Sequence, residues 1–167
     1  MRVAGVCLAV ILALAVQTTV APFVLTGRGH VDLVLVVVVY AALQFGPAGG
    51  LITGALAGMA EDALSGGVIG VGGIAKTIVG FLAGAIGSQF IVANAFPRFV
   101  VLLLGAALHA ACVLGLYAII DKRGLTALSW RTAWPQVALT TGIGIILIQA
   151  VHAVPGILMR RRLRRGY

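Results

Sequence analysis

GPAGGLITGALAGMAEDALSGGVIGVGGIAKTIVGFLAGAIGS, residues 46–88, holds thirteen of the chain's twenty-three glycines, two of its four acids and one of its two lysines. Gly46, Gly50, Gly54 and Gly58 recur every fourth residue and so lie near one side of a helix, and Asp62 extends the series. After a glycine-rich break the pattern resumes at Lys76, Gly80, Gly84 and Ser88. In water each such glycine would weaken a helix by roughly 1 kcal/mol relative to alanine. In a bilayer the same residues let two helix backbones approach closely. The stretch therefore predicts two tightly packed membrane helices with opposite charges near their shared turn.

The rest of the chain fits that setting. Of 167 residues, 61% are hydrophobic and only 10% charged, and the mean hydropathy is +1.14. A soluble core of this size cannot hide so much apolar surface, and several stretches are long enough to cross a hydrocarbon layer of about 30 Å. Open sheets would leave backbone groups unsatisfied in lipid, and the apolar runs lack the alternation of a transmembrane barrel. The expected fold is an all-α polytopic membrane protein, one compact bundle over residues 1–159 followed by a basic cytoplasmic tail, 160–167. Cys7 and Cys112 lie inside apolar stretches and read as packing residues.

Six spans are expected. The first covers residues 3–21, too long for a signal-peptide core and followed by equally apolar sequence. Asp32 opens a short second span, 33–45, where an aspartate either caps free amides at the positive end of the helix or meets a partner. Gly46 and Pro47 form a tight reversal into the third span, 48–64. Residues 65–73 carry few charges and several valine and isoleucine side chains, and are expected to dip into the membrane as a re-entrant connection if protein covers their backbone. The remaining spans are 74–93, 99–120 and 134–159, the last interrupted by Pro155 and Gly156. Trp130, Trp134 and Tyr117 read as interfacial anchors.

Formal net charge is +8, and five arginines, Arg160, Arg161, Arg162, Arg164 and Arg165, fall in the last eight residues. Directly after an apolar helix, they read as a topology anchor against anionic lipid rather than a nucleic-acid surface. An even number of spans then puts both termini in the cytoplasm.

Asp62 and Lys76 are the sharpest polar feature. Because an isolated charge in hydrocarbon costs several kcal/mol, three readings follow. The two form an ion pair locking the third and fourth helices; or they are satisfied separately by loop amides, interfacial water or a partner; or they belong to a proton, ion or solute site. Glu61, about 100 degrees around the helix from the glycine face, is expected to meet the interface or another chain. His109 and His152 read as structural hydrogen-bonding residues, since no HxxxH, HExxH or CxxC spacing accompanies them. No cofactor or nucleotide is expected, because Gly72 to Thr77 lacks the glycine that precedes the P-loop lysine. Glu61 and Asp62 are adjacent and so do not face each other across a substrate, which speaks against an enzyme.

Residues 58–84, GMAEDALSGGVIGVGGIAKTIVGFLAG, resemble the MreD family of bacterial rod shape-determining membrane proteins. The family pattern looks like G-x-x-x-D-x-L-x-G-G-x-x-G, a polar or basic position, then G-aromatic-x-x-G. Gly58, Asp62, Leu64, Gly66, Gly67, Gly70, Lys76, Gly80 and Gly84 fit it in order. Phe81 stands where tyrosine is common, and Asp32 matches an aspartate usual at the second span, with Val31 replacing a proline. The resemblance implies a non-enzymatic scaffold of the cell-elongation machinery in the bacterial inner membrane. It further implies binding to MreC and work alongside MreB, RodA and a class B penicillin-binding transpeptidase in lateral peptidoglycan synthesis. It also implies a fold similar to the substrate-binding subunits of energy-coupling-factor transporters, which keeps a small-solute or ion-coupled carrier as the alternative. Asp32, Gly50, Gly54, Gly58, Asp62, Gly66, Gly70, Lys76, Gly80, Phe81 and Gly84 are the expected structural or partner-binding residues.

Overall fold

A computed structural model describes residues 2–24, 31–66, 68–89, 95–120 and 130–164. These form an all-α bundle of five helices: α1 (Arg2–Val24), α2 (Leu33–Ser65), α3 (Val71–Gln89), α4 (Ala95–Ile120) and α5 (Trp130–Arg164). Four stretches are long and apolar enough to cross a membrane, Leu33–Ser65, Val71–Gln89, Phe96–Ile120 and Ala133–Val151, and Val3–Thr19 forms a shorter apolar helix. The chain is a multi-pass membrane protein on this architecture.

The expectation of about six helices is corrected to five among the described residues. The second and third expected spans belong to the single element α2, with no loop between them. A straight helix of its 33 residues would reach about 50 Å, well beyond the hydrocarbon layer. It does not run straight. Gly46 takes φ 75 and ψ −169, outside helical values, with Pro47 directly after it. A methyl group on Gly50 would sit 2.7 Å from the Ala42 Cβ, although eight residues along a straight helix are about 12 Å apart. Val34 likewise shares an apolar cluster with Ala57. The two arms of α2 therefore fold back on each other at Gly46, where only glycine accepts the positive φ without strain.

α2 ends because Gly66 adopts the left-handed conformation, φ 66 and ψ 14, that closes helices. α3 starts at Val71, so only residues 66–70 separate the two helices. That corrects the expected re-entrant connection over 65–73: five residues make a turn, too short to enter and leave the membrane. α5 runs through Pro155 and Gly156 to Arg164 rather than ending there.

The second arm of α2 packs antiparallel on α3 with backbone against backbone. A methyl on Gly58 would come 2.7 Å from the Gly73 Cα, one on Gly54 2.7 Å from the Lys76 carbonyl carbon, and one on Gly84 2.6 Å from the Pro47 Cα. Gly50 and Gly80 face each other in the same seam. Such approach is open only to residues without a Cβ. The main core is built from Leu35, Val39, Val79, Ala83, Leu102, Ala106 and their neighbours, contributed by α2, α3, α4 and α5. The first arm of α2 thus sits at the centre of the bundle, with Val34, Val38, Val39, Ala41 and Ala42 fully buried.

Candidate functional site: a buried ionic network

Lys76 is 1% exposed in a helix long and apolar enough to cross the membrane. An ammonium has three donors and no acceptor capacity, and α3 aims it at three acceptors. Its Nζ lies 2.7 Å from Asp32 Oδ2 and 2.8 Å from Glu61 Oε2. The third contact is His109 Nε2, at 3.3 Å. Since Lys76 can only donate, His109 accepts at Nε2 and carries its hydrogen on Nδ1, which faces Asp32 Oδ2 at 3.7 Å.

The two acidic residues are held by groups from three helices. Asp32 is the N-cap of α2: its Oδ1 accepts from the Leu35 amide at 2.7 Å, while its own amide donates to Thr140 Oγ1 of α5 at 3.0 Å. Gln17 of α1 donates from Nε2 to Glu61 Oε1 at 2.8 Å. The Gln17 Oε1 accepts from the Leu33 and Val34 amides at 3.1 and 3.3 Å. One side-chain network thereby ties α1, α2, α3, α4 and α5 together at the level where α2 begins and α3 has just started. Leaving any of these charges alone in the bundle would cost several kcal/mol.

Of the three readings for Asp62 and Lys76, the mutual ion pair is corrected and separate satisfaction holds: Lys76 is held by Asp32 and Glu61. Asp62 Oδ2 instead accepts from the amides of Gly70 and Gly73, at 2.8 and 3.1 Å. It therefore caps the start of α3, where free amides and the helix dipole favour an anion. Asp62 does continue the glycine face, but that face leads to the first amides of α3 rather than to Lys76 one turn further on. Glu61 is corrected as well. Its 100-degree offset turns it inward toward α1 and the start of α2, not toward the interface.

Of the other expected residues, Gly50, Gly54, Gly58, Gly80 and Gly84 line the α2–α3 seam, and Gly66 and Gly70, both with positive φ, shape the turn. Phe81 is 46% exposed and faces outward. The side chains of Arg160, Arg161, Arg162, Arg164 and Arg165 lie outside the described set. Gln17, Glu61, His109 and Thr140 were not singled out as a site by sequence reasoning. Each is one polar residue in an apolar helix, and nothing in linear spacing shows that they converge.

A small cavity adjoins the network between α2, α4 and α5, with about 180 Å³ of empty space counted to its open mouth. Asp32, His109, Gln136 and Thr140 form its polar lining. Among the described residues no group of three His, Cys, Asp or Glu side chains is placed to hold a metal.

The family model described as rod shape-determining protein MreD matches residues 2–154 of this chain. No curated protein and no solved structure matches it, so the expected similarity to energy-coupling-factor subunits gains no support from these comparisons.

Proposed function

This chain belongs to the MreD family of rod shape-determining proteins, and from that premise we propose that it is a non-enzymatic scaffold of the elongation machinery that docks MreC. Its role as an MreD-type membrane protein linked to rod shape and cell elongation follows from the family match over nearly its whole length. The proposal adds how the bundle would serve that role. Its interior polar groups face one another, through Lys76, Asp32 and Glu61, and its α2 and α3 backbones lock at the glycine seam. What remains for a partner in the membrane is a firm apolar outer surface. Leu56 of α2 and Ile78 and Phe81 of α3, all outward and exposed, form the part of it carried by the two most tightly joined helices.

On this reading the MreC transmembrane helix packs along α2 and α3, and MreB, RodA and a class B transpeptidase join through MreC and through the cytoplasmic side. The chain sits in the bacterial cytoplasmic membrane. Helix registers support both termini on one side: Gln17 of α1 meets Leu33 and Val34, and Thr140 of α5 meets Asp32. The start of α1 and the end of α5 then extend toward the Gly46 end of the bundle, and the arginines 160–165 assign that end to the cytoplasm. The carrier alternative draws no comparable support from the family match.

The single observation that carries the proposal is the family match. Photo-crosslinking in native membranes from residues 56 and 78 tests it. Capture of MreC from both positions is expected. Capture of MreC only from α1 or α5 positions would move the docking face, and no capture from any helix would overturn direct docking.

A further inference from the structure

The buried network is not balanced in charge. One ammonium, Lys76, faces two carboxylates, Asp32 and Glu61. His109 does not supply the second positive charge, because its Nε2 is occupied as the acceptor for Lys76 at 3.3 Å. Protonating that nitrogen would set two cations against each other inside the bundle. Among the described residues the remaining groups packed against the network are neutral: Gln17 from α1, and Thr140 and Gln136 from α5. Asp62 is a further acid nearby, and its carboxylate is taken up by the Gly70 and Gly73 amides. With both network carboxylates ionised, a net negative charge would be sealed among apolar helices, which is the costly arrangement in a low-dielectric interior.

We infer that the network is a binding site for one exchangeable proton, carried on the Glu61 carboxyl. The two acids are not equivalent. Asp32 is almost wholly buried, accepts the Leu35 amide at 2.7 Å and holds Lys76 at 2.7 Å. An acid bound by a backbone amide and an ammonium keeps its negative charge. Glu61 receives an aligned hydrogen bond only at Oε1, from Gln17. Its Oε2 is buried and faces Lys76 Nζ alone among the described residues, at 2.8 Å, with no backbone amide to hold it. The Glu61 side chain is also the most exposed of the ionic groups, at 14% against 2% for Asp32 and Lys76. Of the three it is the one most open to the outside of the bundle. Uptake of a proton there converts a carboxylate to a carboxylic acid, leaves one Lys76–Asp32 ion pair, and makes the network neutral. The adjoining cavity reaches the network at Asp32 and His109.

Glu61 is the chain's only glutamate, which allows a test on the unmutated protein. The full chain is made with glutamate ¹³C-labelled at its side-chain carboxyl, placed in lipid nanodiscs, and examined by infrared spectroscopy across pH. The expected result is a protonated-carboxyl band at neutral pH that shifts with the label and is lost at alkaline pH. A labelled carboxyl that is ionised at neutral pH would overturn the inference. In a second arm, Glu61→Gln replaces a protonated acid with a neutral isostere. The band should vanish while the melting temperature stays near that of the wild type. A band surviving in Glu61→Gln would place the proton elsewhere and equally defeat the assignment.

Discussion

The glycine seam and the ionic network sit side by side on α2 and α3, and they hold the helices by opposite means. In the seam the side chains are removed, so that Gly58 meets Gly73 and Gly84 meets Pro47 backbone to backbone. In the network, long polar side chains from five helices reach across to meet one another. The seam involves many small dispersion contacts between two neighbouring helices, each worth only about 0.1–0.2 kcal/mol per atom pair. The network concentrates its energy in a few buried charges whose loss is severe. Close packing thus sets how near α2 and α3 come, and the charges set which other helices join them.

Removing the ammonium gives the sharpest break in that contrast. Lys76→Met leaves Asp32 facing an apolar group and should cost about 3–5 kcal/mol, as expected when one partner of a buried ion pair is deleted. Reversible unfolding in detergent measures the loss. The triple variant Lys76→Met, Asp32→Asn, Glu61→Gln removes every charge at once and should regain most of that stability. If the triple variant is as unstable as the single one, the network acts through shape and hydrogen bonding rather than charge.

A smaller effect is expected in the seam. Gly58→Val forces a branched three-carbon side chain into a space where even a methyl would lie 2.7 Å from the Gly73 Cα. Overpacking of that kind typically costs about 1–3 kcal/mol. Because it pushes α2 from α3, it should also weaken crosslinking between cysteines placed across the seam. A seam that accepts valine without loss would mean that the close approach is incidental.

Next in size is the cap that joins the two regions. Asp62→Ala frees the Gly70 and Gly73 amides and should cost about 1 kcal/mol. Asparagine, which still offers an acceptor, should recover much of it. Equal losses in both variants would show that the negative charge, not the hydrogen bonds, is what the start of α3 requires.

The two regions also differ in how far they could be read from the chain. The seam was legible because spacing of four along one helix is a local property: Gly50, Gly54 and Gly58 must share a face wherever the helix goes. The fold-back at Gly46 was legible from Gly-Pro, although its arms join too closely to count as separate helices. The network was not. Asp62 and Lys76 both continue glycine faces and lie close in sequence, yet Lys76 reaches residues 44 positions before it and 33 positions after it. A charge in an apolar helix announces that it has a partner, and only the tertiary arrangement says which.

The smallest prediction concerns a glycine outside both regions. Gly115 lies in α4 with nothing within 4 Å of where a Cβ would be, so it contributes neither close approach nor a special backbone angle. Its only physical consequence is the extra freedom it gives the unfolded chain and the weaker helix it makes. Gly115→Ala should therefore stabilise the protein by about 0.5–1 kcal/mol, opposite in sign to Gly58→Val. The pair of measurements isolates what the seam glycines do. If both substitutions destabilise, the surface of α4 at Gly115 is covered by something in the membrane, and crosslinking from that position would identify it.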